Sequence, residues 1–177
     1  MLTQLQKYNI GCGRTKLDGY VNVDINPGEN VDVVCDIRTG LLQFPTGESD
    51  EILCFHTIEH LERHVIPVVL HHFSRMLQIG GKLVLSFPDF AITSQYFLEN
   101  KRGQKDFWEA TIFGRGSFPH DEHKCALVSK DVIALLTNFG FKTTKQTFEP
   151  VPNECNTIIY ATKIHDSKSY LELYEAI

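Results

Sequence analysis

The chain has 177 residues, of which 42% are hydrophobic and 22% are charged, and its formal net charge is -5 at pH 7. This length suits one domain with a sizeable core, and the composition is ordinary for a water-soluble globular protein. The acidic balance does not favour nucleic acid as a partner, and no apolar run is long enough to cross a membrane. We therefore expect one cytoplasmic domain spanning residues 1–177.

Cysteines are scattered along the chain without a CxxC pair, at Cys12, Cys35, Cys54, Cys125 and Cys155. An odd number of widely spaced cysteines is not typical of a disulfide framework or of a zinc knuckle. Three of them lie in apolar, strand-like runs. The sequence therefore predicts buried, reduced thiols.

The first third of the chain is predicted to form strands with short connections. Its apolar, β-like runs lie at residues 6–10, 20–25, 32–37 and 51–55. Only about ten residues separate one of the first three runs from the next, which leaves no room for long helices.

A helix is predicted next, because apolar residues recur at three- and four-residue spacing over residues 61–77. Pro67 falls in the early part of this helix, and Gly80-Gly81 supplies a stop signal. Residues 82–87 then form an apolar run that predicts a buried strand ending before Pro88.

The middle of the chain is predicted to form helices on either side of a polar loop. Residues 91–112 have a helical pattern with a break at Gly103, and the loop 113–124 is rich in glycine, histidine and charge. Ser129 is a candidate N-cap for a further helix, which Gly140 would stop.

Two strand-like runs near the C-terminus, at 142–148 and 157–163, flank a turn that contains Pro150 and Pro152. Because the connection is short, they predict an antiparallel hairpin at one edge of the sheet. Residues 168–176 predict a short terminal helix. Strands that alternate with helices favour an α/β fold whose sheet is parallel at its centre.

A glycine pair follows the first β-like run, in the segment Tyr8-Asn9-Ile10-Gly11-Cys12-Gly13, and Asp24 closes the second run. Glycines allow a ligand to approach the backbone, and a carboxylate accepts hydrogen bonds from ribose hydroxyls. A dinucleotide fingerprint would need a third glycine near position 16 and an acid about twenty residues later. Position 16 is Lys16 and Asp24 comes too early, so the pattern argues against NAD.

Four motifs in order are more specific than the glycine pair alone. They are the glycine segment, the second run with Asp24, the third run with Asp36, and residues 50–61 at the end of the fourth run; residues 77–85 add the turn from a helix into the next strand. In this order the chain resembles the class I S-adenosylmethionine-dependent methyltransferases, from about Lys7 to Lys163. The resemblance implies a three-layer Rossmann-like fold with a mainly parallel sheet and a C-terminal antiparallel hairpin.

The resemblance also implies where S-adenosylmethionine would bind. The glycine segment would approach the methionine part, the acid after the second strand the ribose, the acid after the third the adenine, and the histidine after the fourth the reacting methyl. The residues so assigned are Asn9, Gly11, Cys12, Gly13, Asp24, Ile25, Asp36, Ile37 and His56. Asp24 and Asp36 have a second interpretation, in which each caps a turn.

Asn9 departs from the family pattern, which usually has an acid two residues before the first glycine. An amide can hydrogen-bond the cofactor, but it offers no negative charge to the cofactor's ammonium group. The segment from Arg14 to Gly19 also replaces the usual first helix.

The segment from His56 to His60 matches the H-x-x-E-H signature of a zinc-peptidase class, in which two histidines lie on one helical face. His56 directly follows a strand-like run, and the sequence offers no third ligand. We therefore keep the peptidase as a remote alternative and predict no metal, with His60 and His64 as helix-surface or packing residues.

The loop before the last helix holds a second group of titratable side chains. Similar methyltransferases often carry a His-Lys pair here, so the resemblance implies that His123 contacts the acceptor or removes its proton. A metal site of His120, Asp121 and His123 is a less favoured alternative. Three aromatic residues could wall the acceptor pocket or pack in the core, namely Trp108, Phe113 and Phe118.

The sequence does not identify the acceptor. It contains no N-P-P-[YFW] segment of the kind found in amino-methylating nucleic-acid enzymes, and Phe87-Pro88-Asp89 occupies the comparable place. With the acidic balance, this favours a small-molecule or saccharide acceptor. The chain has little material for a separate substrate domain, so a homodimer or a partner subunit could complete the pocket. The alternative function is a noncatalytic S-adenosylmethionine-binding module.

Overall fold

The structure is a computed structural model that describes residues 5–99, 105–117, 119–149 and 155–167. Within these ranges seven strands form one sheet in the order β3-β2-β1-β4-β5-β7-β6. The strands are β1 (Gln6–Ile10), β2 (Val21–Asp24), β3 (Val33–Val34), β4 (Ser49–Phe55), β5 (Leu77–Pro88), β6 (Phe141–Glu149) and β7 (Asn156–Lys163). The four α-helices of the described residues are α1 (Ile66–Met76), α2 (Phe90–Leu98), α3 (Lys105–Phe113) and α4 (Ser129–Asn138).

The first five strands run parallel, and β7 and β6 form an antiparallel hairpin at one edge. The predicted α/β fold, with its parallel centre and terminal hairpin, is therefore confirmed. The strand order reverses direction between β1 and β4. In an open α/β sheet such a reversal leaves a crevice at the carboxyl ends of the strands, where ligands bind.

The core lies on both faces of the central strands. On α1 the buried apolar residues Ile66, Val69, Leu70 and Phe73 recur at three- and four-residue spacing. This spacing places them on one face of the helix, against the sheet. The central strands read as nearly continuous apolar runs because helices or loops cover both of their faces.

The predicted boundaries of this helix need correction at both ends. The helix begins at Ile66 rather than near residue 61, because residues 58–60 form a separate 3-10 turn and Pro67 lies in the first turn of α1. It ends at Met76 rather than at Gly80-Gly81, because Leu77 already pairs with Ser49 of the neighbouring strand. The strand pairing then shifts register before Lys82, so the two glycines lie within the irregular start of β5.

Asp89 connects two helices through its buried carboxylate. Its Oδ1 accepts a hydrogen bond of 3.0 Å from the amide of Ala91, and its Oδ2 accepts one of 3.1 Å from the amide of Ser129. Ser129 was expected to cap α4 with its own side chain. It is instead the first helical residue, and no side chain of the flanking Val128 caps the helix. The amide of Ser129, one of the donors that a helix start leaves without an intrahelical partner, is satisfied by Asp89 from another part of the chain.

The remaining predictions concern the thiols, membrane spans and chain segments outside the described ranges. None of the five cysteines, all of which are described, forms a disulfide, and four of them are buried. No helix of the described residues is long and apolar enough to cross a membrane.

Helices α2 and α3 lie on either side of Gly103, which itself lies outside the described residues. The terminal helix over 168–176 and the turn with Pro150 and Pro152 also lie outside them.

Candidate functional site

A cavity of about 370 Å³ opens at the carboxyl ends of β1, β2 and β4. Its lining brings together most of the residues that the sequence predicted to bind a cofactor, namely Gly11, Gly13, Asp24, Ile25, Asp36, Ile37 and His56. Four separate segments contribute these residues. The position and size are typical of a small-molecule site at the switch point of an α/β sheet.

The two glycines of the first turn have different surroundings. Both have positive φ, of 70° at Gly11 and 53° at Gly13, a conformation that side chains rarely adopt. A Cβ on Gly11 would overlap the side chain of Thr57, whereas a Cβ on Gly13 would meet no atom within 4 Å. Gly11 is therefore required by packing inside the protein, and Gly13 leaves its space open beside the cavity.

Asp24 fastens the glycine turn to the end of β2. Its Oδ2 accepts a 2.8 Å hydrogen bond from the Gly13 amide, and its Oδ1 accepts one of 2.8 Å from the Asn26 amide. The turn-capping interpretation of Asp24 is therefore observed, and the same side chain lines the cavity. Because a carboxylate oxygen can accept more than one hydrogen bond, the capping bonds leave acceptor capacity for ligand hydroxyls.

Asp36 is held by its neighbour Arg38. The guanidinium donates to both carboxylate oxygens over 2.7–3.0 Å, and the Arg38 amide donates to Oδ1 at 3.0 Å. This pairing with Arg38 holds the pKa of Asp36 below its usual range. Turn capping is thus observed here too, and Arg38 adds a charged side chain to the cavity wall that the sequence reasoning had not selected.

Asn9 and Cys12 have positions unlike those of the other predicted ligands. The Asn9 side chain is buried and donates to the Thr15 carbonyl at 3.1 Å and to Asn22 Oδ1 at 3.0 Å. Cys12 is buried as well, and burial together with Asp24 raises the pKa of its thiol to about 11. Neither residue is among those that line the cavity.

His56 lies just beyond β4 with a positive φ of 49°, which turns the chain sharply towards the following 3-10 turn. Its Nε2 lies 3.1 Å from Asn156 Nδ2, and its Nδ1 lies 3.4 Å from Glu59 Oε1. An amide nitrogen only donates, so Nε2 of the neutral ring accepts and Nδ1 carries the proton. His56 Nδ1 is therefore close to Glu59, but without hydrogen-bond geometry.

Glu59 is the most unusual side chain of the site. Its exposed fraction is 2%, and neither carboxylate oxygen has a hydrogen-bond partner among the described residues. His56 is near one of these oxygens but is not in hydrogen-bond geometry. A buried carboxylate is costly unless it is paired, protonated or bound to a metal. The Glu59 carboxylate therefore needs a charged partner, a proton or a metal ion to offset the free-energy cost of its burial.

His60 and His123 lie beside Glu59, with their ring centroids 4.9 Å apart. One ligand atom from each of these three residues lies within 4.8 Å of the other two. Since a carbonyl only accepts, His60 Nδ1 donates to the Glu122 carbonyl, 3.1 Å away, and this contact leaves Nε2 for another partner. His60 thus lines the cavity, which corrects its interpretation as a helix-surface or packing residue.

Backbone contacts join this turn to the distant loop that carries His123. The Lys124 amide donates to the Glu59 carbonyl at 2.9 Å, and the His123 amide donates to the Phe113 carbonyl at 2.9 Å. Burial lowers the pKa of the His123 ring, although the nearby Glu59 carboxylate opposes that shift. His123 is therefore neutral at pH 7 and has a lone pair available.

The zinc-peptidase arrangement is not formed. It needs His56 and His60 on one face of a helix, but His56 precedes the 3-10 turn Ile58–His60. The alternative set of His120, Asp121 and His123 is not a close group among the described residues either. Phe113 is 65% exposed, and Phe118 and the Trp108 side chain lie outside the described part of the chain.

No family model matches the sequence, and no curated protein matches it. Solved structures do match the fold. A SAM-dependent methyltransferase from Archaeoglobus fulgidus is 17% identical with a TM-score of 0.64, covering 91% of this chain and 87% of its own.

Two further solved structures show the same fold. A SAM-dependent methyltransferase from Methanosarcina mazei is 15% identical with a TM-score of 0.64, covering 94% of this chain and 95% of its own. The 1,6-didemethyltoxoflavin-N1-methyltransferase of Burkholderia thailandensis, solved with bound 1,6-didemethyltoxoflavin and S-adenosylhomocysteine, is 13% identical with a TM-score of 0.61, covering 91% of this chain and 72% of its own. The chain therefore has the Rossmann-like fold of the class I S-adenosylmethionine-dependent methyltransferases.

Proposed function

We propose that the protein is an S-adenosylmethionine-dependent methyltransferase that acts on a small-molecule or saccharide acceptor. One observation carries the proposal. A single cavity joins the glycine turn, Asp24 and Asp36 at one end to Glu59 and His123 at the other. A nucleoside-bearing ligand at the first end would extend towards the polar wall at the second.

The chain's residues fit this cofactor at the adenosine end. Asp24 and Asp36 lie at the ends of neighbouring strands and offer carboxylate acceptors for hydroxyl and amino groups. Ile37 adds an apolar contact surface, and the space beside Gly13 is open. The Asn9 side chain bonds to the turn and not to the cavity, so we expect other groups to contact the cofactor there.

The chemistry is transfer of the methyl group from the cofactor's sulfonium to an acceptor nucleophile. The protein contributes mainly position, because a direct displacement needs the two reacting atoms aligned and close. His56 and His123 lie at the polar end of the cavity. The neutral ring of His123 can accept the proton of an acceptor hydroxyl or amine.

The first experiment tests cofactor binding. Calorimetric titration with S-adenosylhomocysteine should show one site in the wild type and at least about tenfold weaker binding in Asp24→Asn, which loses the charged hydrogen bonds to the ligand. Asp18→Asn is the matched control, because Asp18 is exposed and lies outside the cavity lining. Absence of binding by the wild type, or equal binding by Asp24→Asn, would contradict the proposal.

Methyl transfer needs a separate measurement. Incubation with isotopically labelled S-adenosylmethionine and panels of hydroxyl- and amine-bearing small molecules and saccharides should release S-adenosylhomocysteine and a labelled product. Cofactor binding without product across the panel would favour the alternative, a noncatalytic module with the same fold. The domain extent of 1–177 and a homodimer or partner subunit remain part of the proposal, and light scattering with and without acceptor tests the latter.

A further inference from the structure

We propose that Glu59, His60 and His123 bind one divalent first-row transition-metal cation at the inner wall of the cavity. This inference goes beyond the proposed function, because the site does not require S-adenosylmethionine. It rests on the position of three ligand atoms, on a buried carboxylate without a hydrogen-bond partner among the described residues, and on the hydrogen bond of His60.

The ligand types suit such a cation. One carboxylate and two imidazoles form a set that Zn²⁺, Co²⁺, Mn²⁺ and Fe²⁺ accept, whereas Mg²⁺ prefers oxygen ligands. The three ligand atoms lie within 4.8 Å of one another. Tetrahedral bonds of about 2.1 Å would place neighbouring ligands roughly 3.4 Å apart, so binding needs only a small inward movement of the side chains.

The buried carboxylate is the second, independent observation. Glu59 is 2% exposed, and both of its oxygens are without a hydrogen-bond partner among the described residues. A carboxylate in this state is costly unless it is paired, protonated or bound to a metal. A bound cation supplies a compensating charge, and the rings of His60 and His123 complete its ligands from the cavity side.

The ligands are also oriented in advance. Metal-binding histidines commonly donate their second ring N–H to a backbone carbonyl, which fixes the tautomer and the ring plane. His60 Nδ1 makes this contact with the Glu122 carbonyl at 3.1 Å, which leaves Nε2 for the cation. The amide of Lys124 donates to the carbonyl of Glu59 at 2.9 Å, so the two segments are already joined.

When the cation is bound, His123 has a role different from that of a proton acceptor. A ring nitrogen that coordinates a metal has no lone pair for a proton, so His123 acts as a ligand in the metal-bound protein and as a proton acceptor only without metal. A cation with three protein ligands also keeps coordination positions open towards the cavity.

The test is calorimetric titration of the full chain, freed of metal by chelator, with Co²⁺, Zn²⁺ or Mg²⁺ salts and without cofactor. One Co²⁺ or Zn²⁺ per chain should bind and raise the thermal midpoint, and Co²⁺ should give d–d absorption typical of nitrogen and oxygen ligands. Mg²⁺ should bind far more weakly. The variants Glu59→Gln, His60→Gln and His123→Gln should each weaken Co²⁺ binding at least about 100-fold.

His64→Gln is the matched control, because His64 is exposed and lies outside the cluster of three ligands. Its Co²⁺ affinity should equal that of the wild type. Without metal, Glu59→Gln should be at least as stable as the wild type, since it removes a buried charge. The proposal is overturned if the wild type shows no saturable Co²⁺ or Zn²⁺ site, or if the three variants bind as well as the wild type. Because binding is measured without cofactor, these outcomes are independent of methyl transfer.

Discussion

Gly11 lies directly against Thr57, so that a side chain at position 11 would occupy the space of the threonine hydroxyl and methyl groups. The contact joins the turn after β1 to the segment after β4. It therefore sets the relative position of the two halves of the cavity, and it explains the first glycine without reference to a ligand.

Alanine substitutions at the two glycines should have different effects on stability and on ligand binding. Gly11→Ala should lower the free energy of unfolding by about 3 kcal/mol, through overlap with Thr57 and an unfavourable φ. Gly13→Ala should cost only about 1 kcal/mol, from φ alone, yet weaken S-adenosylhomocysteine binding, because the added methyl lies beside the cavity. Urea denaturation and calorimetry measure the two effects. The double variant Gly11→Ala/Thr57→Gly should recover part of the stability lost in Gly11→Ala, and no recovery would contradict the packing explanation.

Asn9 should not tolerate the acid that the related family pattern carries. Its amide donates to two acceptors, the Thr15 carbonyl and Asn22 Oδ1, in a buried setting. Asn9→Asp would place carboxylate oxygens against both acceptors, and we expect a loss of about 3 kcal/mol at pH 7. Asn30→Asp is the control, since Asn30 Nδ2 donates to the Arg14 carbonyl at an exposed position and its replacement should cost less than about 1 kcal/mol. Equal stability of Asn9→Asp and wild type in urea denaturation would refute this account.

Asp89 should be one of the most sensitive polar positions in the fold. It is 1% exposed and accepts hydrogen bonds from Ala91, Ser129 and Thr157. Asp89→Ala removes the acceptor for two helix N-termini at once, so we expect a loss of about 3 kcal/mol in the free energy of unfolding. Asp131→Asn, at an exposed position in the first turn of α4, should change stability by less than about 1 kcal/mol. A similar effect of the two substitutions would contradict the assigned role.

Stability should decrease on mild acidification because of two histidines on α1. Burial and the nearby Arg75 lower the pKa of His71 and of His72 in the folded protein. The unfolded chain therefore binds protons more readily, so their contribution to stability is full above the unfolded pKa of about 6.5 and is lost as the pH falls below it. The double variant His71→Gln/His72→Gln should show a smaller decrease between pH 8 and pH 5.5. Parallel stability curves for the two proteins would argue against this linkage.

The strands could be predicted because the apolar runs that form them are local patterns. The run at residues 6–10 is a strand as expected, and the apolar run at 82–87 forms the buried part of β5. Helix boundaries were less accurate, because apolar spacing continues through Leu61 although this residue follows a 3-10 turn. The stop at Gly80-Gly81 was wrong because strand pairing with Ser49 begins earlier, and pairing across the sheet is not visible in a local pattern.

The cofactor end of the cavity was better predicted than its polar wall. Asp24 ends β2 and Asp36 lies two residues beyond β3, and the ends of parallel strands meet at one edge. The sequence analysis did not select Glu59 as a site residue, because its burial results from tertiary packing that no local pattern shows directly. A signal was present in its neighbours, since both Ile58 and Leu61 are apolar and buried. The proximity of His60 and His123 depends on a contact between segments more than sixty residues apart, which no local pattern contains.

The hydrogen bond between Lys124 and Glu59 has a consequence for how the protein acquires its site during synthesis. The glycine turn, Asp24, Asp36 and Glu59 all leave the ribosome before the loop that carries His123. Because contacts between distant segments close large loops, they tend to form late in folding. A nascent chain can thus shape the cofactor end of its cavity while the opposite wall is still missing, and the two ends become one site only when the loop docks.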